Sequence, residues 1–403
     1  GAIYVAESAG FNNLITYDMG GTSTDVSLVM NGTPEYTTKR KVCGLPSGIP
    51  MIDVHAVGAG GGSIAHLDNA GAHPGPAAYG LGGENPVVTD ANIVLGRINP
   101  THFLGGRMTI HADLARKVIS EKLASPMNMT VEQAASGIIS VVNSNMARAI
   151  RVITVERGYN PSDFTLVAYG GAGPLHAVSL AREMNIGKVL LPPNPGTLCS
   201  LGLLTADIRK SYVRTSMMNY DSCSPDAIND IFRNLMGEGQ DWLDTEHVSS
   251  ENRRFHNVIE MRYIGQNYEL QIPVSSNTLD MEDIQALKEA FFKEHEKNYG
   301  YFNPTAPIQL VNFRSEAIGI VTKPGLSTLE HKTEDPADCI IEYRDVFFDE
   351  TGFINCPVYD REKLGQTERI EGPCIIEQMD STSVIPPKAW FLVDHYGNII
   401  VTV

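Results

Sequence analysis

The sequence predicts an α/β fold for roughly its first half, then an α+β module and a small β-rich C-terminal domain. Two strand-like runs, residues 14–17 and 26–30, flank a Gly-Gly turn. A third run, residues 164–169, leads through a second glycine turn into a helical pattern at 175–183. Strands that alternate with helices are typical of α/β folds. Short alternating runs near the C-terminus indicate further strands.

Composition limits the classes of function. The chain has 403 residues, with 42% hydrophobic content and 37 glycines, enough for two or three hydrophobic cores. A formal net charge of −16 argues against nucleic acid or an anionic membrane surface as a partner. No apolar run approaches the roughly 20 residues of a membrane span, and the N-terminus lacks a signal-peptide pattern.

The cysteines indicate a reducing compartment, and we expect the cytoplasm. None of them is arranged as C-x-x-C, so neither a zinc ribbon nor a dense disulfide framework is indicated. The six are Cys43, Cys199, Cys223, Cys339, Cys356 and Cys374.

The first glycine turn carries an unusual set of polar residues. The segment from Asp18 to Asp25 reads Asp-Met-Gly-Gly-Thr-Ser-Thr-Asp. Gly20 and Gly21 permit positive φ and leave no Cβ to block a ligand, so backbone N–H groups can surround an anion. The hydroxyls of Thr22, Ser23 and Thr24 add donors, and the two carboxylates suit a phosphate that arrives with a divalent cation. The segment therefore predicts a phosphate-binding loop, with a plain glycine-rich hairpin as the alternative.

The second glycine turn follows the third strand and precedes a helix. It consists of Gly170, Gly171, Ala172 and Gly173, followed by Pro174. A helix N-terminus favours an anion, and missing side chains let a base or ribose approach the backbone, so this turn predicts a nucleotide site. A Rossmann fingerprint is disfavoured because its sixth position would be His176, and no Walker A sequence occurs.

Between the two glycine turns lie a Gly/Pro-rich stretch and a long helical pattern. A Gly/Pro-rich stretch at 43–106 includes glycines at 58 and 60–62, which we expect to line a site because ordering so many glycines is costly. Residues 131–157 predict an amphipathic helix of about seven turns. Its Arg148 and Arg151 either meet phosphate or lie on a solvated face.

The C-terminal half predicts a different architecture. Helical patterns at 227–243 and 281–299 flank a strand pair at 255–263 and 268–273, and residues 310–320 form another strand. A polar, proline-containing stretch at 323–336 reads as a linker. We therefore expect domains at 1–206, 207–325 and 326–403.

Four other polar side chains are candidates for a role. Asp53 and His55 would share one face of an extended segment and so could bind a metal, with a structural pair as the equal alternative. Asp90 is expected first as the N-cap of a short helix and second as a site acid. His176 is expected to be either a packed histidine or a neutral donor near the nucleotide.

Five motifs in order resemble the hydantoinase A/5-oxoprolinase family. They are Asp18-Met-Gly-Gly-Thr-Ser-Thr-Asp25, His55-Ala-Val-Gly-Ala-Gly-Gly-Gly-Ser63, Pro74-Gly-Pro-Ala-Ala-Tyr-Gly80, Thr89-Asp-Ala-Asn-Ile-Val-Leu-Gly-Arg97 and Tyr169-Gly-Gly-Ala-Gly-Pro-Leu-His176. A weaker resemblance continues into residues 303–320 and 372–382. The family includes ATP-dependent N-methylhydantoinase subunits, 5-oxoprolinases and the ATP-binding subunits of acetone and acetophenone carboxylases.

The resemblance implies an RNase H-like ATPase core of the actin, Hsp70 and sugar-kinase type, with ATP and Mg²⁺ as cofactors. It implies that the first loop, from Gly20 to Thr24, holds the β and γ phosphates. Asp18 and Asp25 would act at the catalytic centre and order Mg²⁺, with a second divalent metal possible at Asp53 and His55. The adenosine would lie on the second glycine turn.

Family members also carry a phosphate loop in a first half that this sequence lacks, so we expect the chain to be the C-terminal part of a larger protein or one of its subunits. The expected function is ATP-dependent hydrolysis of a cyclic amide of the hydantoin, N-methylhydantoin or 5-oxoproline type. No Gly-x-Ser-x-Gly elbow is present, which favours carbonyl activation by phosphoryl transfer over a serine nucleophile. Expected partners are the cyclic amide, a hydantoinase B-type subunit or domain, the missing N-terminal half and further copies in an oligomer.

Two other functions stay open at this stage. A ketone carboxylase subunit would use the same nucleotide site. A nucleotide-gated module of the actin/Hsp70 type would bind ATP and change shape without turning over a small molecule.

Overall fold

The fold is described from a computed structural model, in which residues 1–37, 40–42, 45–47, 51–63, 73–276 and 278–403 are described. Cys43 and part of the Gly/Pro-rich stretch, residues 64–72, lie outside these ranges. The chain forms two compact units. Unit 1 comprises Gly1–Leu204 and Gly325–Val403, and unit 2 comprises Thr205–Pro324.

Helices and strands are interspersed along both units, and the C-terminal part of unit 1 is mainly strands. In the described ranges the α-helices are α1 (Ala2–Ser8), α2 (Val88–Val94), α3 (Ala112–Ile119), α4 (Ser125–Met127), α5 (Val131–Ile153), α6 (Gly173–Glu183), α7 (Leu198–Thr205), α8 (Pro225–Thr245) and α9 (Met281–Tyr299). The strands up to residue 219 are β1 (Leu14–Met19), β2 (Thr24–Met30), β3 (Thr33–Pro34), β4 (Tyr36–Thr37), β5 (Arg40–Val42), β6 (Leu45–Ser47), β7 (Met51–Ile52), β8 (Val54–Val57), β9 (Thr165–Tyr169), β10 (Lys188–Leu191) and β11 (Ile208–Asn219). The later strands are β12 (Arg253–Tyr263), β13 (Leu270–Pro273), β14 (Ile308–Gly319), β15 (Ile340–Phe348), β16 (Gly352–Asp360), β17 (Thr367–Glu371), β18 (Cys374–Gln378), β19 (Ser381–Ile385), β20 (Trp390–Val393) and β21 (Ile399–Thr402).

A mixed sheet at the centre of unit 1 positions both glycine turns. Its strands lie in the order β17-β20-β21-β10-β9-β1-β2-β3, with β8 also paired to β2. Strands β1, β9 and β10 run parallel to one another, and β2 returns antiparallel to β1. The carboxyl ends of β1 and β9 therefore meet at one edge of the sheet, which is where ligands bind in open α/β sheets.

Helix α5 is the long core helix that the sequence predicts at 131–157. Thr130 caps its N-terminus by accepting the N–H of Gln133 at 3.1 Å, and the helix ends near Ile153 in a 3₁₀ turn, Val155–Arg157, before Gly158. By length and composition the stretch Val131–Arg157 could cross a membrane. More than half of its apolar window is buried inside the protein, as expected for the core helix of an α/β unit.

The C-terminal strands join unit 1 instead of forming a domain of their own. Strand β21 pairs antiparallel with β10, and β20 and β17 extend the sheet beyond it. Phe391 and Ile399 are fully buried in the same core as Ile15 and Met146. The predicted linker near residue 325 therefore leads back into the first unit, because a sheet edge left open by β10 is completed by strands that come about 200 residues later.

Unit 2 matches the predicted α+β module in its elements. Its four-stranded sheet has the order β11-β14-β12-β13, and the expected strand pair at 255–263 and 268–273 is confirmed as β12 and β13. Helices α8 and α9 contribute Phe232 and Phe291 to a core shared with Phe313 of β14. The α/β prediction for the fold is thus confirmed at the level of secondary structure.

Candidate functional site

The first glycine loop closes the hairpin between β1 and β2. Asp18 lies opposite Asp25, and Met19 opposite Thr24, while the N–H of Gly20 donates to the carbonyl of Ser23 at 3.1 Å. A Cβ placed on Gly20 or Gly21 would have open space around it. Neither residue has positive φ. The expected left-handed conformation is therefore not used in this loop, and the two glycines instead leave the backbone unobstructed.

A second glycine segment supports the loop from behind. The N–H groups of Gly61 and Gly62 donate to the carbonyls of Gly20 and Gly21, at 3.0 and 2.7 Å. A Cβ on Gly60 would lie 2.6 Å from backbone atoms of the first loop, closer than real Cβ contacts come. Gly60 is therefore the glycine that lets the two backbones touch, and Gly61 lines the cleft described below.

The second glycine turn, between β9 and α6, adjoins the first loop. Ala172 donates its N–H to the carbonyl of Met19 at 3.0 Å. Gly170 has a φ of +79°, and a Cβ there would collide with the Asp18 carboxylate and the Met19 carbonyl. Gly171 is less confined, since the nearest atom to its Cβ position is the carbonyl oxygen of Asp380 at 3.6 Å. Gly173 begins α6. Three glycine segments that are distant in sequence are thus brought together.

The hydroxyl residues of the first loop divide into two groups. Thr22 is exposed and Ser23 half-buried, so both remain at the loop surface. Thr24 is fully buried, and its hydroxyl donates to the carbonyl of Ala59 at 2.6 Å. In this structure Thr24 holds the loop to the supporting glycine segment, whereas Thr22 and Ser23 remain at the surface for a ligand.

The carboxylate of Asp18, next to the loop, has a shifted pKa. Burial raises the pKa of Asp18 above its ordinary value, and the nearby charge of Asp25 adds to the rise. The thiol of Cys199 donates to Asp18 Oδ2 at 3.3 Å, which opposes that rise. Two facing carboxylates with surface hydroxyls beside them are the kind of oxygen donors that Mg²⁺ accepts together with phosphate and water. The residues present therefore fit a magnesium–nucleotide complex.

Asp53 and His55 lie away from this loop. Asp53 Oδ2 forms an ion pair with Arg157 at 2.6 Å, and His55 pairs in register with Val26 on the far side of β2 from β1. Neither residue lines the cleft. Among the described residues no group of three or more His, Cys, Asp or Glu side chains is arranged to hold a metal. The structure thus gives Asp53 a structural partner and does not bring this pair to the other site residues.

Asp90 has a structural role different from the expected N-cap. It occupies the third position of α2, and its carboxylate accepts the backbone N–H groups of Ala77, Ala78 and Val87 at 3.2, 2.9 and 3.1 Å. Burial raises its pKa, and these three hydrogen bonds oppose the rise. Asp90 thus fastens the 3₁₀ turn at Ala77–Tyr79 to α2. Local sequence could not reveal this, because two of its three donors lie more than ten residues away.

His176 is a packed histidine. It is fully buried, with Nδ1 at 2.9 Å from Asn143 Oδ1, an arrangement in which the ring nitrogen donates. Burial, and secondarily the charge of Arg97, lowers the pKa of His176 to about 3. It is not among the residues that line the cleft, so the structure favours the packed alternative over a donor to the nucleotide.

The three glycine segments border a cleft of about 490 Å³. One part of the cleft is apolar, with Ile98, Phe103, Leu104, Leu175 and Met379. Gly105 and Met379 face each other, since a Cβ on Gly105 would lie 3.5 Å from Met379 Cγ. The two segments therefore touch and form one apolar wall, against which a flat ring could pack.

The C-terminal segment supplies a wall of this cleft. The turn between β18 and β19 presents Met379 and Asp380, and Gln378, Ser381 and Thr382 also line it. Helix α6 packs against β19. In the sequence, residues 372–382 carry only a weak family resemblance, which predicts no role for them. The signal that could have identified them is the polar cluster Gln378 to Thr382 between two short strands.

Family models and known proteins match this chain over most of its length. The hydantoinase/oxoprolinase family model matches residues 1–212, and the hydantoinase/oxoprolinase C-terminal domain matches residues 219–399. Caprolactamase subunit alpha of Pseudomonas jessenii is 35% identical over 95% of this chain and 57% of its own length. The acetophenone carboxylase gamma subunit of Aromatoleum aromaticum is 31% identical over 99% of this chain and 58% of its own length.

A solved structure also matches the fold of this chain. The crystal structure of the ATP-dependent caprolactamase from Pseudomonas jessenii aligns over 99% of this chain and 60% of that one, with a TM-score of 0.85 and 34% identity. The chain therefore spans somewhat under two thirds of the length of these relatives. From its family matches and its fold, this chain belongs to the hydantoinase/oxoprolinase family.

Proposed function

We propose that this chain is the ATP-binding subunit or part of a cyclic amide hydrolase, of the hydantoin, N-methylhydantoin or 5-oxoproline type. The observation that carries the proposal is the convergence of three glycine segments on one cleft, with the Asp18–Asp25 pair where the first loop joins β1 and β2. Similarity to a protein named caprolactamase supports the cyclic amide class. A cytoplasmic location would follow from the use of ATP.

ATP would supply the phosphoryl group that converts an unreactive amide oxygen into a leaving group. The open backbone at Gly20 and Gly21 would let the phosphates approach. The N–H of Gly21 and the hydroxyls of Thr22 and Ser23 would donate hydrogen bonds to them, since the N–H of Gly20 already donates to Ser23. Asp18 and Asp25 would hold Mg²⁺ through carboxylate oxygens and its water ligands.

The apolar part of the cleft would take the adenine ring. Met379 and the segment from Phe103 to Gly105 touch each other and line it together. The open position of Gly171, next to the carbonyl of Asp380, would leave room for the nucleoside against the backbone. Excluding water from this region would strengthen each hydrogen bond to the phosphates.

The first test is titration calorimetry of the chain with Mg-ADP. Gly171→Val adds an isopropyl group at the cleft, at a backbone position without positive φ. Gly187→Val is the matched control, because Gly187 is exposed, has open space around it and lies outside the cleft. We expect binding by the wild type and by Gly187→Val, and loss of at least tenfold in affinity for Gly171→Val. Equal binding by all three proteins would remove the nucleotide from this cleft.

A ketone carboxylase subunit is the second candidate, since the acetophenone carboxylase gamma subunit matches this chain almost end to end. The two candidates share the nucleotide site and differ in the acceptor. We propose a hydantoinase B-type subunit and the N-terminal half as partners for either reaction. ATP consumption by the assembled protein, measured with hydantoin or 5-oxoproline and separately with a ketone plus bicarbonate, distinguishes them.

A further inference from the structure

The polar groups of the cleft are unevenly distributed. At the first loop it is lined by the backbone of Gly20 and Gly21, next to the surface hydroxyls of Thr22 and Ser23, and this combination suits an anion. On the C-terminal side it is lined by four carboxylates, Asp360, Glu362, Glu377 and Asp380, and no described lining residue is Lys or Arg. Phosphates are repelled from the acidic side, whereas neutral groups that donate hydrogen bonds are attracted to it.

Of the four carboxylates, Asp380 is held in position by two hydrogen bonds beside the second glycine turn. Its Oδ2 accepts the N–H of Gly196 at 2.9 Å, and its Oδ1 accepts Nε2 of Gln378 at 2.6 Å. A Cβ on Gly196 would lie 2.6 Å from Oδ2, so the glycine is what allows the carboxylate to reach this backbone. Glu377, by contrast, is mostly buried and forms an ion pair with Arg344 at 2.7 Å.

The second glycine turn connects Asp380 to the phosphate loop. Gly170 packs against Asp18, and its neighbour Gly171 packs against the backbone of Asp380. The order along the cleft is therefore phosphate loop, glycine turn, Asp380. A carboxylate accepts up to about four hydrogen bonds, so the two contacts of Asp380 leave acceptor capacity.

We propose that Asp380 is a specificity-determining residue that accepts a hydrogen bond from a ribose hydroxyl of the bound nucleotide. The inference rests on the proposed nucleotide site and goes further by fixing the direction of the nucleotide in the cleft. Phosphates lie at Gly20 to Ser23, and the sugar lies at the acidic wall. Carboxylates are the groups with which dinucleotide-binding proteins recognise a ribose hydroxyl, for the same chemical reason.

The experiment compares Mg-ADP with its 2′-deoxy and 3′-deoxy forms by calorimetry. The proteins are the wild type, Asp380→Asn and, as control, Glu371→Gln. Asparagine keeps an oxygen for the N–H of Gly196 while removing the charge. Glu371 is an exposed residue of β17 that forms an ion pair with the exposed Arg369, and it does not line the cleft.

We expect the wild type and Glu371→Gln to bind one of the deoxy nucleotides about tenfold or more weakly than Mg-ADP, the effect of losing a hydrogen bond to a charged group. Asp380→Asn should bind Mg-ADP more weakly and should discriminate much less between ADP and that deoxy form. Wild-type binding without discrimination overturns this inference alone. Discrimination that persists undiminished in Asp380→Asn also overturns it. A folded wild type that does not bind Mg-ADP overturns the proposed function, and this inference with it.

Discussion

Gly60→Ala tests whether the close contact between two glycine segments builds the phosphate loop. The added Cβ would start 2.6 Å from Gly21 C and Thr22 N, whereas carbon contacts are most favourable at about 3.5–4.0 Å. Relief of this overlap requires the two backbones to separate by about 1 Å. Both clashing atoms belong to the main chain, so rotation of a side chain cannot relieve it.

The expected loss in the free energy of unfolding follows from the hydrogen bonds that this separation would stretch. The two bonds from Gly61 and Gly62 are 3.0 and 2.7 Å long, and about 1 Å more would break them. At about 1 kcal/mol each, with residual overpacking added, the free energy of unfolding should fall by about 2–4 kcal/mol. Displacement of Gly21 should also weaken Mg-ADP binding by about tenfold or more.

Urea denaturation and calorimetric titration provide the two measurements. Gly58→Ala is the matched control, because Gly58 lies two residues away, is exposed and has open space at its Cβ position. The control should keep both the stability and the affinity of the wild type. If Gly60→Ala behaves like Gly58→Ala in both assays, the close packing of the two segments does not shape the loop and the reasoning is refuted.

Three further predictions concern single carboxylates and one histidine. Asp90→Ala should lower the free energy of unfolding by about 3 kcal/mol or more in urea denaturation, because three buried N–H groups lose their acceptor; Asp90→Asn should lose less, and equal losses would contradict this account. Because the pKa of His176 is lowered to about 3, the unfolded chain takes up a proton below about pH 6.5 that the folded chain does not. Stability should therefore fall as pH falls from 6.5 towards 3, and His176→Gln should remove about 2 kcal/mol of the difference between pH 7 and pH 5; an unchanged pH slope would rule this out. Asp18→Asn should abolish most of the dependence of ADP binding on Mg²⁺, measured with and without EDTA, whereas Asp53→Asn should leave it unchanged; the opposite result would move the metal to Asp53.

The sequence predicted the parts of the fold that depend on local pattern. The hairpin around Gly20, the strand before Gly170 and the long helix α5 each carry their signal within about 25 residues. The family resemblance is confirmed by the matches to both parts of the family. What local pattern does not contain is which segments meet in space.

Several residues of the site make contacts that local sequence pattern does not predict. Asp380 reaches the N–H of Gly196 across 184 positions of sequence, and Gly60 is required by a contact with Gly21 that no spacing rule describes. Thr24 and Ser23 are adjacent hydroxyl residues, and only the alternation of β2 turns Thr24 into the core. The assignment of roles at this loop therefore needed the three-dimensional structure.

The pairing of β21 with β10 has a consequence for synthesis of the chain on the ribosome. Strand β10 has emerged long before β21, and the whole of unit 2 is translated between them. We expect unit 2, with its own core, to reach its native state first, while the nascent β10 edge stays open to pairing with another chain. Translation that stalls between the two strands should therefore yield a product that aggregates.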